Sequence, residues 1–180
     1  MTQAMAYKPM KKGKEFSKVR AKQLLVLTDG FALIQEYQDS IAATAKGSPA
    51  TIERGYILCT RLDNMLAVKN RQFVTKKQQS NTVGYAFSAG AYNKGNEVYI
   101  FRNNDWEADE EHFMELHCTR LSADGSQTET TKVLKTSDDF FTNVSSIQPG
   151  TNGKLLFEVV KLVDYEDVSR EVKLMEVTIR

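Results

Sequence analysis

The chain has 180 residues, 41% hydrophobic and 26% charged, with a formal net charge of +1. These values suit one soluble globular domain with its own core. No apolar run reaches the roughly 18 residues of a membrane-spanning helix, so no transmembrane helix is expected.

The opening stretch MTQAMAYKPMKKGKEF lacks the apolar core of a secretory signal. With Cys59 and Cys118 the only cysteines, a cytoplasmic, reducing setting with free thiols is expected. From Lys8 to Lys22 stand seven basic residues, Lys8, Lys11, Lys12, Lys14, Lys18, Arg20 and Lys22, against the single acid Glu15. This arm carries +6 and the rest of the chain −5. It reads either as a solvated leader or as a contact for nucleic acid or a neighbouring subunit. Residues 1–22 are expected to be extended or a short helix, the helical pattern covering Lys12 to Leu25 with Phe16 and Val19 on one face. Residues 23–180 are expected to form a single all-β domain.

Beyond the arm, apolar runs alternate with turn residues. Thr28-Asp29-Gly30 divides QLLVLTDGFALIQEY, and Asp63-Asn64 divides GYILCTRLDNMLAVKNRQF. Further breaks fall at Asn93-Lys94-Gly95, Ala123-Asp124-Gly125 and Asn152-Gly153, all residue types that tolerate positive φ. The pattern predicts about eleven antiparallel strands, with one longer connection from Ser40 to Pro49.

Both cysteines lie in the tetrapeptide Cys-Thr-Arg-Leu, 59 residues apart, and a second shift of 59 lands on Val177. The same offset aligns Asn93 with Asn152 and Asp105-Trp106-Glu107 with Asp164-Tyr165-Glu166. A pseudo-repeat of about 59 residues is therefore expected. Along a strand Ile57, Cys59 and Arg61 share one face, as do Leu116, Cys118 and Arg120. Replacement by valine in the third copy makes the cysteine position a small apolar core slot, not a disulfide, metal or redox pair.

Catalytic chemistry is sparse in the sequence. His112 and His117, the only histidines, are five apart and project to opposite faces of a strand, so they cannot clamp one metal locally. There is no phosphate-binding glycine loop, nucleophile elbow or zinc-helix motif, and no cofactor or metal is expected. The stretch NNDWEADEE, Asn103 to Glu111, reads as a solvated loop between strands. Trp106, flanked by Asp105 and Glu107 and echoed by Tyr165, is the candidate recognition group of that loop. Lys11, Lys12, Lys14, Lys18, Arg20 and Lys22 are the candidate contacts of the arm.

Three four-stranded units within one chain look like a β-trefoil, the fold of fibroblast growth factors, Kunitz-type legume inhibitors and ricin-type lectins. RGYILCTRLDNMLAVKN resembles the growth-factor hairpin pattern, and LLVLTDGFALIQ its first hairpin. The resemblance implies a trefoil-like closure and carries no functional residue across. GTNGKLLFEV followed by EVKLMEVTI is similar to propeller blades, so a propeller-like fragment remains an alternative, as does an up-and-down barrel or sandwich. The function expected is that of a non-enzymatic binding protein presenting loops to a protein or glycan. The alternative is a structural or assembly protein, such as a viral or phage component, whose basic N-terminal arm, Lys8 to Lys22, touches nucleic acid or a neighbouring subunit. An enzyme whose acids come from separate loops would leave no linear motif.

Overall fold

A computed structural model describes residues 18–41, 51–76, 78–80, 89–108, 111–135, 140–161 and 171–178. They form twelve strands: β1 (Val19–Leu27), β2 (Gly30–Ile41), β3 (Thr51–Leu62), β4 (Val68–Val74), β5 (Gln78–Ser80), β6 (Ala89–Lys94), β7 (Glu97–Ala108), β8 (Glu111–Leu121), β9 (Gln127–Lys135), β10 (Phe140–Pro149), β11 (Lys154–Lys161) and β12 (Glu171–Thr178). Among the described residues no helix is long and apolar enough to cross a membrane.

The strands make three separate antiparallel meanders, β1-β2-β3-β4, β6-β7-β8-β9 and β10-β11-β12. Pairing joins sequence neighbours, apart from β5, which pairs with β3 beyond the end of β4. All five expected turns fall at or within a residue of a strand break. The all-β, antiparallel expectation therefore describes the molecule.

Two local expectations are corrected. The helical reading over Lys12 to Leu25 fails where the chain is described, because β1 begins at Val19 and pairs with β2 from Val19↔Tyr37 onward. Its burial alternates with period two, Leu25 and Leu27 inward and Leu24 and Val26 outward, so pairing with β2 sets the backbone rather than helical spacing. The boundary expected after residue 22 consequently lies inside a strand. The loop expected from Asn103 to Glu111 is instead a long hairpin. β7 runs to Ala108, with Asp105↔Met114, Trp106↔Phe113 and Glu107↔His112 in register. A main-chain ladder forms irrespective of side-chain charge, which is why acid content misled there.

Alternation gives the second sheet two packed apolar faces. One face of the first sheet (Leu25, Leu27, Ala32, Ile34, Ile57, Cys59, Val74) packs with Ala89, Ala91, Val98, Ile100 and Leu121 of the second. The opposite face of the second (Tyr99, Phe101, Leu116) packs with Val144, Leu155 and Phe157 of the third, Phe101 and Phe157 meeting edge to face at 5.1 Å. The sheets thus stack in sequence order, each turning one face back and one forward.

The first strands of the sheets lie side by side, with β6 between β1 and β10. Asn93 Nδ2 donates to the Val26 carbonyl at 2.8 Å. On the other side a Cβ at residue 90 would stand 1.7 Å from the Val144 carbonyl oxygen, so only glycine allows β6 and β10 to approach.

Cys59 faces the second sheet and Cys118 faces the third, and both thiols are free. Val177 departs from that scheme. It packs, like Cys118, against the cluster between the second and third sheets, so it looks back where an equivalent residue would look forward. Side chains alternate with period two, so a one-residue slip in the third sheet moves the position expected to match the cysteines to the other face.

Candidate functional site

Four tight turns of the first two sheets gather at one end. The Asp29 backbone N–H donates to Asn96 Oδ1 at 3.2 Å, joining the β1–β2 and β6–β7 turns. Lys69 at the start of β4 reaches Asp29 Oδ2 at 2.9 Å. The β3–β4 turn is closed by Asp63 N–H to the Ala67 carbonyl (2.9 Å) and Leu66 N–H to the Asp63 carbonyl (3.0 Å). Asp63 Oδ1 also accepts from the N–H groups of Met65 (2.8 Å) and Ala67 (2.9 Å), a short polar side chain organising its own turn.

The β8–β9 turn repeats this geometry 59 residues later. Ser122 N–H donates to Ser126 O at 2.9 Å and Gly125 N–H to Ser122 O at 3.1 Å. Gly125 has φ 92 and Leu66, in the corresponding place, φ 64. The left-handed region costs an L-residue with a Cβ about 1–2 kcal/mol, and leucine, unlike Asn or Asp, has no polar side chain to offset it. No burial compensates either. Leu66 is 64% exposed, its neighbour Met65 91%, and Val68 beside them is exposed as well. A strained, solvent-facing apolar pair on a well-bonded turn is the most unusual surface feature among the described residues.

Beneath these turns Arg61 locks two sheets together. Its NH1 donates to the Asn96 carbonyl and its NH2 to the Leu121 carbonyl, both at 2.7 Å, while Nε lies 3.4 Å from Gln72 Oε1. The planar fork satisfies carbonyls at the head of the second sheet from a strand of the first. Arg120, the matching residue of the second Cys-Thr-Arg-Leu, is instead exposed and pairs with Glu97 at 2.7 Å.

A second constellation surrounds Glu36, whose carboxylate is fully buried. Lys76 Nζ lies 2.5 Å from Oε1, and Arg54 NH1 (3.3 Å) and Lys22 Nζ (3.6 Å) face Oε2. Local irregularities aim these cations. Lys22 is the extra residue of a bulge in β1, Arg54 borders a register shift between β2 and β3, and Lys76 falls in the break between β4 and β5. Burial pulls the Lys76 ammonium down to about 8, opposed by the Glu36 charge. The arrangement ties β1, β2, β3 and the β4–β5 connection around one buried carboxylate, and its four members come from four places in the sequence. The signal available was Glu36 itself, an acid two residues beyond Ile34 on the inward parity of a strand.

The residues singled out from the sequence are dispersed. Lys18 is hydrogen-bonded to Asp39, Lys22 belongs to the Glu36 cluster, and Arg20 is exposed. Lys11, Lys12, Lys14 and Tyr165 lie outside the described residues. Asp105, Trp106 and Glu107 have their backbone in β7, and their side chains are outside the described set. His117 Nδ1 sits 2.9 Å from Glu129 Oε1, which also accepts from Arg102 NH2 at 2.9 Å. Burial pushes both thiols up to about 11, Arg61 partly opposing it at Cys59 and Arg102 at Cys118. Among the described residues no three His, Cys, Asp or Glu side chains gather to hold a metal. Comparison of the chain with known protein families, with characterised proteins and with solved structures gives no match.

Proposed function

We propose that the protein is a non-enzymatic binding protein. In this reading the three meanders are successive blades of a propeller-like arc, and the Met65–Leu66 turn offers an apolar contact to a protein partner. Three separate sheets whose first strands lie side by side support blades in preference to a trefoil, whose units close on a shared barrel. The recurrence of one turn geometry at a spacing of 59 residues supports a duplicated unit.

The observation that carries the binding role is Leu66 in a left-handed conformation that the corresponding turn gives to glycine. A residue held there at a cost, with its side chain in water, is explained by a contact made elsewhere. Two aliphatic side chains with no aromatic plane suit an apolar protein pocket better than a glycan. A photo-reactive group at position 65, with another at Asp124 of the corresponding turn, tests this. Saturable cross-linking of a discrete partner from position 65, competed by unlabelled protein but not by its Leu66→Gly variant, supports the reading. Equal labelling from both positions refutes it.

The assembly reading draws its support from a different place, the two end faces of the stack. Leu24 (58% exposed) and Val26 (70%) lie on the open face of the first sheet and Leu174 (72%) on that of the third.

A further inference from the structure

Large exposed apolar residues among the described set fall into two groups. Met65, Leu66 and Val68 belong to the turn already discussed, and Leu24, Val26 and Leu174 lie on the end faces. These faces are not arbitrary surfaces. Twice within the chain, the forward face of one sheet packs on the backward face of the next. The third sheet still presents a forward face, with Leu156 and Leu174 flanked by Glu158 and Glu176, the latter paired with Lys154 at 2.6 Å. The first sheet presents on its backward face an exposed edge, Leu24 and Val26 on β1 beside the half-buried Phe31 and Leu33, with Arg71 on β4, while Leu58 and Thr60 in the middle of the same face are buried. Each face carries exposed aliphatic side chains, and Glu158, beside the Lys154–Glu176 pair, leaves the third face one negative charge to meet Arg71 on the first.

From this we infer that two copies of the chain join end to end, the forward face of each third sheet against the backward face of the other copy's first sheet. The result is a closed two-fold ring of six sheets, and the inference rests on the blade reading above. Such a contact is head-to-tail and must either close or propagate into a filament. Closure with two copies falls within the roughly 4–8 blades that propellers use, and it removes the exposed Leu24, Val26 and Leu174 from water. A second copy is the partner argued for because it brings the missing faces in the orientation that the internal seams already use.

The test is the mass of the full chain in solution, by light scattering and sedimentation across a wide concentration range, with Val26→Asp and Leu174→Asp as variants. The expected species has twice the 20.3 kDa chain mass. Each variant weakens association at least about 100-fold, and an equimolar mixture of the two recovers dimer through its one intact seam. The ring is overturned by a monomeric wild type, by a dimer indifferent to both substitutions, by loss with only one of them, or by an open polymer. The wild-type mass decides even if a variant misfolds. Small-angle scattering separates the two levels: a monomer shaped as three side-by-side sheets sinks the ring while leaving the blades, and a closed barrel sinks both.

Discussion

Leu66 and Gly125 occupy the same corner of two turns closed by matching hydrogen bonds, at φ 64 and 92. The pair allows strain and function to be measured apart. Leu66→Gly relieves the left-handed penalty while adding freedom to the unfolded chain, so unfolding free energy should stay level or rise by up to about 1 kcal/mol. Gly125→Leu should cost about 1–2 kcal/mol. Urea denaturation reads both. A loss above about 2 kcal/mol for Leu66→Gly would give Leu66 a folding role and remove the case for a partner.

Arg61 and Arg120 share a tetrapeptide and differ in what surrounds them. Arg61→Ala strands the Asn96 and Leu121 carbonyls at the seam between two sheets and should cost about 3 kcal/mol. Arg61→Lys should recover only part of this, because an ammonium cannot reproduce the fork. Arg120→Ala removes an exposed ion pair and should stay within about 1 kcal/mol. Equal effects at the two positions would refute the seam assignment.

The Glu36 cluster predicts a pH dependence with a definite sign. Unfolded, Lys76 holds its proton to about 10.5, whereas the native state releases it near 8. Between these values the unfolded chain binds more protons, so native stability rises with pH. The effect starts before that of the thiols, which titrate near 9.0 unfolded and about 11 folded and push stability down as pH climbs between those values. Melting curves at pH 7.5 to 9 should therefore show a rise that Lys76→Met abolishes. Glu36→Leu leaves the facing cations buried without their carboxylate and should cost about 3–5 kcal/mol.

Reactivity of the cysteines checks their role as packing. Both thiols are held neutral at pH 8, so native modification by a disulfide reagent should be slow. Cys118, partly accessible, should lead the fully buried Cys59. Complete reaction should need denaturant. Rapid native labelling of Cys59 would mean that the first seam opens readily.

Much of the strand order was legible because turn chemistry is local: Thr28-Asp29-Gly30, Asp63-Asn64 and Asn152-Gly153 mark breaks that no distant contact could move. The parity of Ile57, Cys59 and Arg61 was legible for the same reason, since alternation needs no knowledge of the partner sheet. The slip at Val177 was not, because register in the third sheet depends on its pairing with β11 and on the irregular stretch between Asn143 and Gln148 of β10. The Glu36 cluster escaped because two register shifts aim Lys22 and Arg54 and the β4–β5 break aims Lys76, and a bulge has no fixed signature in a single sequence. Met65 and Leu66 escaped as well. An apolar dipeptide beside a turn looks like the start of a strand until its backbone angles are known.

Pairing between sequence neighbours has a kinetic corollary. Almost every ladder closes over a short stretch of chain, so loop-closure entropy is small and the hairpins can zip early, leaving the docking of preformed meanders as the slow event. Under load or heat the stack should fray sheet by sheet from an end, much as a row of books leans outward from its last volume, and β10 to β12, three strands against the five of the Arg61-tied first sheet, would let go first.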